Sequence, residues 1–371
     1  MVTPSLSLSH RAKILSLLFM NIGFLYAETD VSQKIWNAKD HRFKVEVLVE
    51  NRDVIWGFDF LPDQRVILTE RNGKISVVDL TSKKIETLAG APVVYNEGQG
   101  GLLDIRVHPD FKNKPWVYYA YSEQTAKGAT TALGRATWDG KKLTGAKKIF
   151  SAKAVNQKEI HFGGRIEFDL QGHVYLSVGE RGDRDLAQRL DVANGKILRL
   201  KEDGSVPKDN PEVWSYGHRN PQGLARHPET GDLWEGEFGP RGGDEINIIK
   251  PGLNYGWPVI TYGREYHGPK IGETHKSGME QPIVYYVPSI SPSGMNFYTG
   301  NKFPKWRNDL FVGTLSGQHL RRLVIKKHNV IWQEELLKDL HWRIRNVREG
   351  ADGYLYVSTD EGVLARLVPV N

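Results

Sequence analysis

The chain has 371 residues, 39% hydrophobic and 25% charged, with a formal net charge of +6. That is ordinary globular composition with length enough for a large core. It contains no cysteine, which excludes disulfides, thiolate metal sites and thiol nucleophiles.

Residues 1–27 read as a secretory signal. Arg11 and Lys13 give a positive start, 14–26 is mostly apolar, and Ala27 offers a small residue for cleavage. Loss of those two cations leaves the mature chain near +4. No later stretch is long and apolar enough for a membrane helix. The remaining basic excess is spread out. Its one dense run, Arg321, Arg322, Lys326 and Lys327, alternates with apolar residues and reads as a solvated strand face, so there is no nucleic-acid footprint.

From residue 58 onward one pattern recurs: an apolar strand start, a turn of Pro, Asp or Gly, and a second strand rich in Val, Tyr and Leu. Copies lie at 58–68, 105–121, 166–176, 224–234, 295–312 and 347–357. Most continue into a third strand of alternating apolar residues after a Gly, as at 73–80, 195–200 and 362–367, the period-2 signature of strands. Six copies predict an all-β, six-bladed β-propeller with about four antiparallel strands per blade, a single domain over 28–371.

A propeller gathers loops from every blade at the ends of one channel, so polar residues at repeat-equivalent positions are the candidates for chemistry. They occur just before inner strands, at 98–101 (Gly-Gln-Gly-Gly), 160–165 (Ile-His-Phe-Gly-Gly-Arg), 217–223 (Gly-His-Arg-Asn-Pro-Gln-Gly) and 342–346 (Trp-Arg-Ile-Arg-Asn). Singly each has a plain reading, as a core histidine, a turn or a solvated strand face. Together His161, Arg219, Arg343, Arg345, Asn220 and Gln99 would line one basic pocket suited to a polyanion. A further stretch, 234–247, reads as a strand ending in a buried aromatic, Phe238, and then a Gly239-Pro240 turn followed by Asp244 and Glu245. Such a turn offers either two solvated acids or the mixed carbonyl and carboxylate oxygens that Ca2+ takes.

The motifs at 98–103 with 108–111, 161–165, 216–222, 238–245, 254–258 and 343–345 resemble, in order and over about residues 45–368, the soluble quinoprotein glucose/aldose sugar dehydrogenases, most of all their broad-specificity periplasmic members. The resemblance implies a six-bladed propeller that binds pyrroloquinoline quinone (PQQ) with Ca2+. It implies oxidation of the anomeric hydroxyl of aldoses to lactones, with electrons passed to a quinone or small cytochrome. It makes His161 the general base and Arg219 the group that polarises the quinone carbonyl. Gln99, Asn220, Arg343 and Arg345 would hold the cofactor. Gly239 and Pro240 would give carbonyls to the catalytic Ca2+, while Glu245 and the Tyr255 carbonyl would serve a second, structural one. The implied location is the periplasm, or outside the cell if the host is not Gram-negative. Three departures stand out: Ser316 replaces a cofactor-contacting Lys, Ile160 an Asp beside the base, and Asn346 a commoner Asp. Ser316 supports a rival reading as a non-catalytic sugar- or protein-binding propeller. A Ca2+-dependent lactonase is the third, and it needs several acids around one channel cation.

Overall fold

The computed structural model describes residues 31–153, 156–208 and 213–370; the signal expected at 1–27 lies outside them. Six antiparallel sheets stand around one axis, five of four strands and one of five. Their inner strands are Ile55–Phe60, Leu102–Val107, Ile166–Phe168, Pro221–Arg226, Pro292–Phe297 and Ile344–Glu349, which we use to number blades 1 to 6. These strands contact one another in cyclic order, and blade 6 touches blade 1. The ring is closed by chain ends: Arg42–Val49 pairs with Leu364–Val370 and completes blade 6. Among the described residues there is no α-helix, only short 3-10 turns.

The architecture follows from where apolar side chains go. Six apolar clusters form, one at each interface between neighbouring blades. Phe43, Trp306 and Val347 join blades 5 and 6, for example, and Ile67, Ile105 and Tyr119 join blades 1 and 2. Each fully buried Val, Leu or Phe there contributes about 1.5–3 kcal/mol. A blade is covered on both faces, so second strands such as Val66–Glu70, Val174–Val178 and Leu355–Thr359 are buried throughout. Only outermost strands such as Asn329–Leu336 alternate between core and solvent.

This double coverage also reaches polar residues on strands, and corrects one expectation about them. The alternation at 195–200 is a strand as expected, and both its faces are covered: Lys196 is fully buried and its ammonium donates to the carbonyls of Leu186, Ala187 and Asn194. In the basic run at 321–327 Lys326 and Lys327 are exposed, but Arg321 and Arg322 are buried. Arg322 is 1% exposed and meets Asp309, Asp40 and Glu334 at 2.7 Å each.

Every inner strand starts at the same end of the channel, here called the top. Turns between second and third strands return to the top, and those between first and second strands lie at the bottom. The Pro/Asp/Gly turns that defined the repeat therefore mark the bottom, and the loops before each inner strand converge on the top.

Candidate active site at the top of the channel

The convergence places four expected residues, Gln99, Asn220, Arg343 and Arg345, around one cavity of about 270 Å³. Trp56, Phe162 and Phe238 give it aromatic walls. Phe238 is thus not a core residue; it lies beyond the strand Leu233–Glu237, half-buried at the cavity wall.

His161 stands beside this cavity, 7% exposed. Its backbone takes a left-handed conformation, φ 55°, which costs of order 1–3 kcal/mol for a residue with a Cβ and persists only if its neighbours enforce it. They do. The His161 N–H donates to Gln99 Oε1 at 2.8 Å, and its carbonyl accepts from the Arg181 N–H at 3.3 Å. Gly179 packs so closely that a Cβ there would stand 2.2 Å from that carbonyl oxygen. The ring is fixed by Glu180, whose Oε2 lies 2.8 Å from His161 Nδ1. A carboxylate at Nδ1 accepts a hydrogen bond from Nδ1–H, which keeps the proton on that nitrogen and leaves Nε2 as the basic one. Burial lowers the His161 pKa below its usual 6.5, with the charges of Arg219 and Arg181 acting the same way and Glu180 opposing them. The ring is therefore neutral at pH 7.

Arg219 and Asn220 are held by Glu237. Its Oε2 accepts from the Arg219 N–H at 2.5 Å and the Asn220 N–H at 3.3 Å, while Oε1 meets His218 Nδ1 at 3.2 Å. The Arg219 guanidinium reaches over the blade 4 turn and donates to the carbonyls of Phe238 and Gly239 at 3.1 and 3.0 Å. Asn220 accepts from the Gly163 N–H at 3.1 Å, and so ties the loop after His161 to blade 4.

Arg343 and Arg345 share one acid. Asp360 accepts from Arg343 Nε at 2.9 Å and from Arg345 Nε and Nη2 at 2.7 and 3.0 Å. Burial opposes ionisation of Asp360, but the two guanidinium groups outweigh it and hold its carboxyl below the ordinary range. Two cations against one anion leave this wall positive.

The blade 4 turn also has a second side. Asp244 and Glu245 are not solvated; they are 0% and 9% exposed and open the third strand, Asp244–Ile249. Asp244 is bonded by the N–H groups of Gly239, Ile290 and Ser291 and the Ser289 hydroxyl. Glu245, Glu237, Tyr255 and Gly239 border a void of about 10 Å³, room for one atom. Behind it, Glu235 Oε1 and Asn247 Oδ1 are buried with no hydrogen-bond partner among the described residues. Burial, then the charge of Glu237, raises the pKa of both Glu235 and Glu245 well above normal. Buried acids and orphaned oxygens fit a bound cation.

The structure thus brings together His161, Arg219, Gln99, Asn220, Arg343 and Arg345, and separately Glu245 with Tyr255. Reasoning from sequence missed Glu180, Glu237 and Asp360. Glu180 and Asp360 sit on turns between second and third strands, the same place in their blades as Gly239 and Pro240 in blade 4, so inspecting the equivalent turns of every blade would have found them. Of the three departures, Ile160 lies at the rim, 37% exposed. Asn346 is buried with its Oδ1 on the Val347 N–H. Ser316 bonds Ser291 Oγ at 2.8 Å, facing an open cleft rather than the cavity.

Comparison with known proteins finds a match over residues 52–366 to the family described as Glucose / Sorbosone dehydrogenase. The chain is 40% identical over 366 residues to aldose sugar dehydrogenase YliI of Escherichia coli K12, covering 94% of this chain and 98% of the relative. Its structure is similar to that of the soluble aldose sugar dehydrogenase of Escherichia coli in the apo form, with a TM-score of 0.85, 39% identity and coverage of 88% of this chain and 100% of the other. It is also similar to the PQQ-bound aldose sugar dehydrogenase of Streptomyces coelicolor, with a TM-score of 0.75, 28% identity and coverage of 88% and 98%.

Proposed function

Because this chain belongs to the glucose/sorbosone dehydrogenase family, we propose that it is a quinoprotein aldose sugar dehydrogenase whose base is His161. The observation that carries this reading is the Glu180–His161 pair, 2.8 Å apart and buried beside an arginine-lined cavity. The residues present fit the implied groups. Gln99, Asn220, Arg343 and Arg345 would hold an aromatic tricarboxylate between aromatic walls, and the Pro240 carbonyl with that of Gly239, which here accepts from the Arg219 guanidinium, would hold the catalytic Ca2+. A structural Ca2+ would sit with Glu245 and the Tyr255 carbonyl. When bound, PQQ supplies the hydride acceptor and Ca2+ the Lewis acid beside it.

The chain's own work is proton handling and orientation. Nε2 of His161 takes the proton of the anomeric hydroxyl, which makes its carbon a better hydride donor. Glu180 keeps the ring in the tautomer that can accept, and stabilises the imidazolium that forms. Arg219 places a fixed positive charge where negative charge develops. The lactone and two electrons leave, the electrons to an external quinone or small cytochrome. The signal-like residues 1–27 support a periplasmic location.

The lactonase reading loses support here. The cavity wall carries a single acid, Asp360, and two arginines already occupy it. The non-catalytic reading keeps Ser316 in its favour but leaves the Glu180–His161 pair without a purpose. The test is spectral. Protein loaded with PQQ and Ca2+ should show a quinone absorbance that an aldose bleaches. His161→Ala should keep the absorbance and lose the bleaching; bleaching at the normal rate would remove His161 from its role.

A further inference from the structure

Beside the catalytic turn lies a second, open cleft of about 740 Å³, lined by Pro240, Arg241, Arg264, Tyr266, Ser291 and Ser316 among others. Its far wall comes from the long excursion between the third and fourth strands of blade 4, Asp244–Ile249 and Val284–Tyr286. Arg241 and Arg264 are fastened together through their backbones, each N–H donating to the other's carbonyl at 3.2 and 3.3 Å. Both side chains are exposed. Arg241 reaches only the Tyr266 carbonyl, at 3.5 Å, and the Arg264 guanidinium makes no hydrogen bond or ion pair among the described residues.

Three other arginines of the top face are paired with acids: Arg343 and Arg345 with Asp360, and Arg184 with Glu265 at 2.7 Å. Glu265, the acid next to Arg264, is thereby already engaged. No carboxylate lines the cleft; Asp244 lies behind its wall, enclosed by its own hydrogen bonds. The cleft adjoins the active site at Tyr266, whose hydroxyl accepts from Arg219 Nη2 at 3.4 Å while the residue lines the cleft. A sugar with its anomeric carbon between His161 and Arg219 would direct its other end past Tyr266.

From this we propose that the cleft is a subsite for an anionic group on the end of the aldose away from C1, a carboxylate as in a uronic acid or a phosphate ester, held by Arg264 and Arg241 with the hydroxyls of Ser291 and Ser316 as further donors. Guanidinium groups bind such oxygens with charge-assisted, bidentate bonds. The inference rests on the dehydrogenase reading and adds a substrate class to it: anionic aldoses are preferred over the neutral sugars of the same size.

The test compares glucose, glucuronate and glucose 6-phosphate as substrates of the protein loaded with PQQ and Ca2+, for the natural chain and for Arg264→Ala and Arg264→Glu. Binding of the two anions is measured by calorimetry on the same preparations. The natural chain should favour at least one anion in kcat/KM, and the more favoured one identifies carboxylate or phosphate as the ligand. Arg264→Glu should lower that preference about tenfold or more while changing glucose less than twofold, and added salt should erode it. Equal treatment of anionic and neutral sugars, or a loss shared equally by glucose, would overturn the subsite. If no sugar is oxidised, calorimetry separates the two claims. Anion binding that Arg264→Glu removes sustains the subsite and sinks the dehydrogenase reading; absence of binding sinks both.

Discussion

His161 is the residue on which the chemistry turns, and its setting predicts how activity depends on acidity. A base must be neutral to accept a proton, and burial pushes its pKa below 6.5. So kcat/KM should rise with pH to a plateau with its midpoint below 6.5. In Glu180→Gln the carboxylate that opposes this downward shift is gone, so the midpoint should move lower still while kcat falls roughly tenfold or more. A purely structural Glu180 would lower kcat without moving the midpoint, and steady-state rates across pH 4.5–8 distinguish the two. His161 and Arg219 were legible in sequence because each lies in a motif with unusual neighbours. Glu180 was not. It sits in an ordinary Gly-Glu-Arg-Gly turn, and its partner lies 19 residues away, a pairing that only the blade geometry creates. Asp360 was hidden likewise, since nothing in a Thr-Asp-Glu-Gly turn announces two arginines from the start of the blade's inner strand, 17 and 15 residues earlier.

The blade 4 turn is the element that joins the two sides of the site. Gly243 has φ +74°, and a Cβ on it would stand 2.2 Å from the Gly263 nitrogen, so neither conformation nor space admits a side chain. Gly252 has nearly the same φ, +77°, with nothing within 4 Å of its would-be Cβ. Gly252→Ala should therefore lose only the conformational cost, about 1–2 kcal/mol. Gly243→Ala should lose clearly more, because backbone must also move, and thermal melting of both variants reads the difference. Equal losses would mean that the excursion does not pack on the turn as described. Under the same turn, the orphaned oxygens of Glu235 and Asn247 and the raised Glu245 predict a stability that depends on calcium. Adding a calcium chelator should lower the melting temperature of the natural chain, and Glu245→Gln should remove most of that dependence. A melting temperature indifferent to calcium would leave the buried acids without their cation. From sequence the turn was readable as odd but its acids were not readable as buried. Burial here comes from the loop entering blade 5, whose Ile290 and Ser291 N–H groups and Ser289 hydroxyl donate to Asp244 across 45 to 47 residues.

At the scale of the whole molecule, the six repeats counted in sequence are the six blades, because each copy contains the bottom corner between a first and second strand. What the repeats did not disclose is how the ring shuts. Arg42–Val49 carries no repeat signal, and its partner Leu364–Val370 lies more than 300 residues on. Arg321 and Arg322 were also misread as solvated, since blades covered on both sides bury them with partners that no local pattern names. The same closed ring makes the chemistry a property of the whole. Gln99 comes from the start of blade 2, His161 of blade 3, Arg219 and Asn220 of blade 4, Arg343 and Arg345 of blade 6, and they meet only when all the blades are in place. The most direct test of the account is to purify the chain free of cofactor and follow dye reduction by aldoses with PQQ alone, Ca2+ alone and both. Activity that requires both additions, and that His161→Ala lowers about 100-fold or more while PQQ still binds, is the predicted result. Failure of the natural chain to bind PQQ, or turnover that ignores the loss of His161, would contradict it.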